Sequence, residues 1–160
     1  AFAKGLGSMA FVAFVIGLAK VISLVLADGN VIHTIVYVLT KPLMSLPKSV
    51  SSVGLTRIVS VINPLIPSAT SKAAILVPIM KPVAEALGLH LNLAVVAYQM
   101  GDSFTNLLSP LLGWMIGSCV MAEVPFPRWF KWVFPKVITF ILLACVIVFL
   151  LTVTGWTGVI

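Results

Sequence analysis

Two short polar stretches interrupt an otherwise apolar chain. The first is Asn63-Pro64-Leu65-Ile66-Pro67-Ser68-Ala69-Thr70-Ser71-Lys72; the second, after one further apolar run, is Gly101-Asp102-Ser103-Phe104-Thr105-Asn106. Polar groups placed in hydrocarbon cost several kcal/mol each unless they are paired or line a cavity. Two such interruptions in one small chain therefore point to a place where something polar is bound. The hydroxyls of Ser68, Thr70 and Thr105, the amide oxygen of Asn106 and carbonyls freed by the breaks are neutral oxygen donors of the kind a hard cation such as Na⁺ takes. Asp102 could neutralise such a cation, carry a proton or pair with a basic solute. Lys72 could attract a carboxylate or pair with Asp102.

Other readings of the same residues exist. Pro64, Pro67 and Gly101 could simply kink helices, with the polar side chains satisfying the freed backbone groups, as in a membrane subunit that binds nothing. Ser68 and Lys72 also lie four residues apart, which on a helix would set a hydroxyl beside an amine as in a Ser–Lys hydrolytic dyad. Pro67 argues for a turn that separates them, and no oxyanion-hole motif is visible.

The elements that must position these residues follow from composition. The chain has 160 residues, 61% of them hydrophobic and only 9% charged, with a mean hydropathy of +1.19. Soluble domains carry roughly 25% charged residues, so an all-α integral membrane protein is expected. The formal charge of +6 comes from cations scattered singly among apolar segments. No basic stripe with interleaved aromatics appears, which argues against a nucleic-acid partner. Cys119 and Cys145 lack metal-ligand spacing and read as small core hydrophobes. No signal pattern precedes the first apolar run, so the chain reads as beginning inside a larger protein.

In chain order, residues 9–27 are long enough to span a bilayer, with Lys20 snorkelling near the far end or pairing with a buried group. Asp28-Gly29-Asn30 closes that helix. Residues 31–40 have a helical pattern too short to span and read as an interfacial arm carrying His33. In 49–66 the small polar residues Ser51, Ser52, Thr56 and Ser60, with Arg57, suit a helix packed in protein rather than lipid. Residues 49–66 and 73–87 then form two short arms around the polar tip, a re-entrant hairpin over 49–87 that Gly88 terminates. Residues 90–122 read as one membrane helix broken at 101–106. Residues 123–136 read as a loop whose tryptophans beside basic residues anchor the interface. Residues 134–154 are the plainest spanning helix and carry scaffold. The chain divides into a scaffold helix with an arm (1–48), transport elements (49–122) and a loop with the last scaffold helix (123–160). Lys4, Arg128, Lys131 and Lys136 fall on one side of the membrane, Lys41, Lys48 and Lys81 on the other. The denser loop after Glu123 marks the cytoplasmic side.

Taken together in order, several motifs are similar to the YfcC-like carriers of the ion transporter superfamily. They are Ile66-Pro67-Ser68-Ala69-Thr70-Ser71-Lys72-Ala73, Val77-Pro78-Ile79-Met80, Tyr98-Gln99-Met100-Gly101-Asp102-Ser103-Phe104-Thr105-Asn106 and Val124-Pro125-Phe126-Pro127-Arg128-Trp129-Phe130-Lys131-Trp132. Ile16-Gly17-Leu18-Ala19-Lys20 and Asp28-Gly29-Asn30-Val31-Ile32-His33-Thr34-Ile35 add to the likeness. The Gly-Asp-Ser-x-Thr-Asn pattern also resembles the p-aminobenzoyl-glutamate transporters. The resemblance implies a multi-pass bacterial inner-membrane carrier for basic amino acids or four-carbon dicarboxylates, working as an elevator. In such carriers two inverted repeats each hold a hairpin and a broken helix, usually in a homodimer. This chain corresponds to most of the second repeat, without its leading helix, so an N-terminal repeat or complementary half is the implied partner. Carried over, Ser68, Ala69, Thr70 and Ser71 form the tip, and Asp102, Ser103, Thr105 and Asn106 the break. The implied solute-binding set is Asn63, Ser68, Thr70, Ser71, Lys72, Asp102, Ser103 and Asn106. The implied Na⁺ set is Ser68, Ala69, Thr70, Thr105 and Asn106, with no other cofactor. Lys72 stands where a small or polar residue is expected, Lys20 where arginine is, and Arg57 is unusual in the first arm. These departures leave substrate, coupling ion and direction of exchange open.

Overall fold

The computed structural model describes residues 31–66 and 69–158, with isolated positions between 10 and 29. The expected first span lies largely outside the described residues, and Lys20, Pro67 and Ser68 lie wholly outside them. The described residues form α1 (Val31–Thr40), α2 (Lys48–Ile62), α3 (Ala69–Ala86), α4 (Leu91–Thr105), α5 (Gly113–Met121) and α6 (Phe126–Val153), and no strand. The interrupted run Leu91–Met121 and the helix Phe126–Val153 are long and apolar enough to cross a bilayer.

Helix α2 begins after Pro47, whose backbone is extended, and it is packed within protein. Ser51, Ser52, Thr56 and Ser60 are all buried. Their hydroxyls are satisfied at home or by neighbours: Thr56 donates to the Ser52 carbonyl at 3.3 Å, Ser60 to the Thr56 carbonyl at 3.0 Å, and Ser51 to the Leu43 carbonyl at 2.8 Å. Small side chains at four-residue spacing leave a flat face on which another helix can lie close. Helix α4 takes that place through Gly101, where a Cβ would stand 2.4 Å from the Thr56 carbonyl oxygen. Gly101 is thus a contact residue inside a continuous helix, and not the break expected there.

Helix α2 packs most extensively on α4 and α6, and α3 packs on α1 and α4. Leu55, Val59, Ile62, Ile66, Leu76, Ala84, Ala97 and Val148 lie in one core that draws on α2, α3, α4 and α6. Helix α3 runs through Pro78 and Pro82 and stops, as expected, at Gly88. There φ is 63°, and Leu89 N–H reaches the Ala84 carbonyl while Gly88 N–H reaches that of Glu85, the Schellman closure.

The loop expected over 123–136 is shorter in the fold. Pro125 is extended and Pro127 sits in the first turn, so α6 starts at Phe126. A proline in the first turn costs no intrahelical bond and has its φ preset, which is why it starts a helix here. Lys136 lies 3.6 Å above the Trp132 ring, one turn before it on the same helix. The inner face of α6 buries Val133, Val137, Ala144, Cys145 and Val148. Its outer face leaves Leu143, Val146, Phe149 and Leu150 exposed, a surface suited to lipid.

Candidate functional site

The site starts from a helix end. Helix α2 finishes at Ile62, and Asn63-Pro64-Leu65 tightens into a 3-10 turn with Pro64 in its first turn. That turn holds the Asn63 side chain inside the molecule, 1% exposed. Its amide nitrogen donates to the Asp102 carbonyl at 2.8 Å, the Thr105 hydroxyl at 2.6 Å and the Asn106 amide oxygen at 2.9 Å. Two N–H bonds are therefore shared among three acceptors. The Asn63 amide oxygen in turn accepts from Lys72 Nζ.

Lys72 belongs to the first turns of α3 and is 1% exposed. Its ammonium pairs with the Asp102 carboxylate. Of the two roles open to Lys72 from sequence, the fold adopts the pairing with Asp102. An isolated buried charge would be prohibitive, whereas a paired and hydrogen-bonded one is tolerated. The pair carries no net charge, and among the described residues no buried polar side-chain atom lacks a partner.

The second polar stretch is mostly helical. Helix α4 continues to Thr105, whose hydroxyl also donates to the Gly101 carbonyl at 3.1 Å. The break comes later than expected. A 3-10 turn spans Asn106–Leu108, Ser109 is extended, and α5 starts at Gly113 after an extended Leu112. Pro110 explains the position, because it lacks an N–H and disfavours helical backbone at the residue before it. The Leu107 carbonyl in this break accepts from Trp129 Nε1 at 3.2 Å. A tryptophan expected to anchor the interface thus ties α6 to the broken helix.

Asn63, Lys72, Asp102, Thr105 and Asn106 come together in this cluster. Ser103 does not. It is exposed and donates to the Gln99 carbonyl at 2.6 Å, because one residue beyond Asp102 is about 100° further around the helix. Ala69 is exposed at the start of α3. Ser68 and the side chains of Thr70 and Ser71 lie outside the described residues. Ser60, which was not among the expected site residues, reaches across to the Gly101 carbonyl at 3.1 Å. The four-residue spacing of Ser52, Thr56 and Ser60 was the available signal. Arg57, on the same helix, is exposed and borders a cavity beside Thr105.

Comparison with known proteins agrees with the likeness read from the motifs. Residues 1–153 match the sequence model of the DcuC family, described as C4-dicarboxylate anaerobic carriers. An uncharacterised protein of Haemophilus influenzae is 30% identical over 136 residues, which cover 85% of this chain and 26% of that protein. The "Putative basic amino acid antiporter YfcC" of Escherichia coli is 25% identical over 135 residues, covering 81% of this chain and 27% of its own length. The chain spans about a quarter of the length of these curated relatives. No solved structure matches it. This chain belongs to the DcuC family of C4-dicarboxylate anaerobic carriers.

Proposed function

We propose that this chain forms a solute-binding part, a fragment or half, of a secondary active transporter in the bacterial inner membrane. It would move a small organic anion or amino acid by an elevator movement, in a homodimer, with Na⁺ or H⁺ as coupling ion. The observation that carries this reading is the buried Lys72–Asp102 pair bridged by Asn63. It joins the start of α3 to the end of α4 inside an apolar protein, where half-helix ends build midplane sites in carriers. The hairpin is α2 and α3 with the turn between them, and the broken helix is α4 and α5. Family membership supports a carrier over an enzyme. Lys72 is committed to Asp102 and Asn63, which counts against a hydrolytic partnership with Ser68.

The cation reading is shaped by Lys72. Its ammonium already meets the Asn63 and Asp102 oxygens, so a Na⁺ would draw on Thr105, Asn106 and the tip oxygens of Ser68, Ala69 and Thr70. The completeness of the pairing favours one second reading, in which the cluster is a structural lock that binds neither ion nor solute.

Thermal stability of the purified protein separates the two. It would be measured across Na⁺, K⁺ and pH with dicarboxylates and basic amino acids added in turn. A ligand that binds only the folded state adds RT ln(1 + [L]/Kd), about 2.7 kcal/mol at a hundredfold excess over Kd. The carrier reading expects a solute-specific rise. For a Na⁺ site it expects a Na⁺-specific rise lost in Thr105→Ala and Asn106→Ala. A flat response to every ion and solute would leave the lock.

A further inference from the structure

Of the two charges on helix α2, Lys48 donates to the Gly88 carbonyl at 3.3 Å, and Arg57 stands apart from the buried pair. Arg57, Ser60 and Pro64 recur at three- and four-residue spacing and share one face. Beside that face an open cavity of about 420 Å³ separates α2 and the end of α4 from α6, with Thr105 on one side and Ile138 and Leu142 on the other. Pockets of roughly 300–1,000 Å³ with mostly apolar walls and a few polar groups are the common form of small-molecule sites. Among the described residues Arg57 has neither an ion pair nor a hydrogen bond to its side chain. The α6 wall offers it only hydrocarbon. An arginine within an apolar segment faces a cavity and pairs there, and its planar, permanently charged fork matches a carboxylate at two points.

The buried pair sharpens the assignment. Lys72 is spent on Asp102 and carries no surplus charge, so an incoming carboxylate finds no free cation inside the cluster. Among the described residues that line this cavity Arg57 is the one cation, and Thr105 belongs both to the cavity and to the cluster.

We infer that this cavity is a carboxylate subsite. Arg57 grips one carboxylate of the transported solute, and the apolar side chains of α6 lie along its short carbon chain. The inference rests on the carrier reading and adds to it a place and a residue. Anion recognition then falls on the α2–α6 face instead of the hairpin tip, and Thr105 transmits occupancy to the cluster.

Phenylglyoxal modification of Arg57 in the purified protein, followed by peptide mass, tests this directly. Succinate or L-lysine should slow the reaction several-fold, and the uncharged diamide succinamide should leave the rate unchanged. In parallel, any thermal stabilisation that succinate or L-lysine gives the wild-type protein should be lost in Arg57→Gln and partly kept in Arg57→Lys. Unprotected modification of Arg57, with stabilisation intact in Arg57→Gln, would overturn the subsite while leaving the carrier reading standing. If no carboxylate stabilises the wild-type protein, both fall together. Should Arg57→Gln fail to fold, the protection measurement on the wild-type protein decides alone.

Discussion

Lys72 and Asp102 meet where water is excluded, and this determines what removing either would do. Lys72→Met would leave a buried carboxylate without its cation, and Asp102→Asn a buried ammonium without its anion. Each is expected to destabilise the protein by about 3–5 kcal/mol, whereas removing both charges together is often near neutral. The double variant should therefore recover most of the loss, read by thermal unfolding of all three proteins in detergent. Additive losses would mean the two groups do not depend on each other. The residue types of this cluster were legible in the sequence, because lysine, aspartate and asparagine inside apolar runs are conspicuous. Their arrangement was not. The central role of Asn63 depends on the 3-10 turn that Pro64 sets, and a linear reading of Gly-Asp-Ser-x-Thr-Asn ignores the helical phase that turns Ser103 outward.

At the scale of elements, the closeness of α2 and α4 hangs on Gly101. Alanine is favoured over glycine within a helix by about 1 kcal/mol, so propensity alone predicts that Gly101→Ala stabilises. The packing predicts the opposite. The new Cβ would stand 2.4 Å from the Thr56 carbonyl oxygen and 2.8 Å from the Val59 Cβ, and neither can swing aside. Overpacking of this kind costs typically 1–3 kcal/mol, and we expect roughly that net loss in thermal unfolding. Gly54→Ala is the control, because its Cβ meets the far end of the Leu43 side chain, which can change rotamer, so the loss should be smaller. Equal effects at the two sites would show that α2 and α4 are less tightly apposed than the fold indicates. Existence of these helices was readable from apolar runs between proline and glycine. Their ends were less so. Gly101 drew the break towards itself, while the harder stop was Pro110, and Pro125 with Pro127 read as loop although they start α6.

At the scale of the molecule, the question is which helices move together. Composition pointed to an integral membrane protein, and the sequence placed the last helix with the scaffold, apart from the hairpin and broken helix. In the fold α6 packs along both α2 and α4. Ser52 and Thr152 share a hydrogen bond of 2.7 Å, Phe104 stacks on Phe140 with ring centroids 5.3 Å apart, and Trp129 bonds to the Leu107 carbonyl. Sliding α6 past α2 by one turn, about 5.4 Å, would break all three contacts at once. In the elevator movement proposed above, the moving block would therefore carry α6 with it. A Ser52→Cys and Thr152→Cys pair, built with Cys119→Ala and Cys145→Ala, tests this because the two hydroxyls are near enough for a disulfide after small adjustment. Oxidation should leave solute flux in proteoliposomes unchanged if α6 travels with α2. Flux that stops on oxidation and returns with reductant would instead make α6 the fixed wall against which α2 slides. The carboxylate cavity between them would then open and close with every cycle.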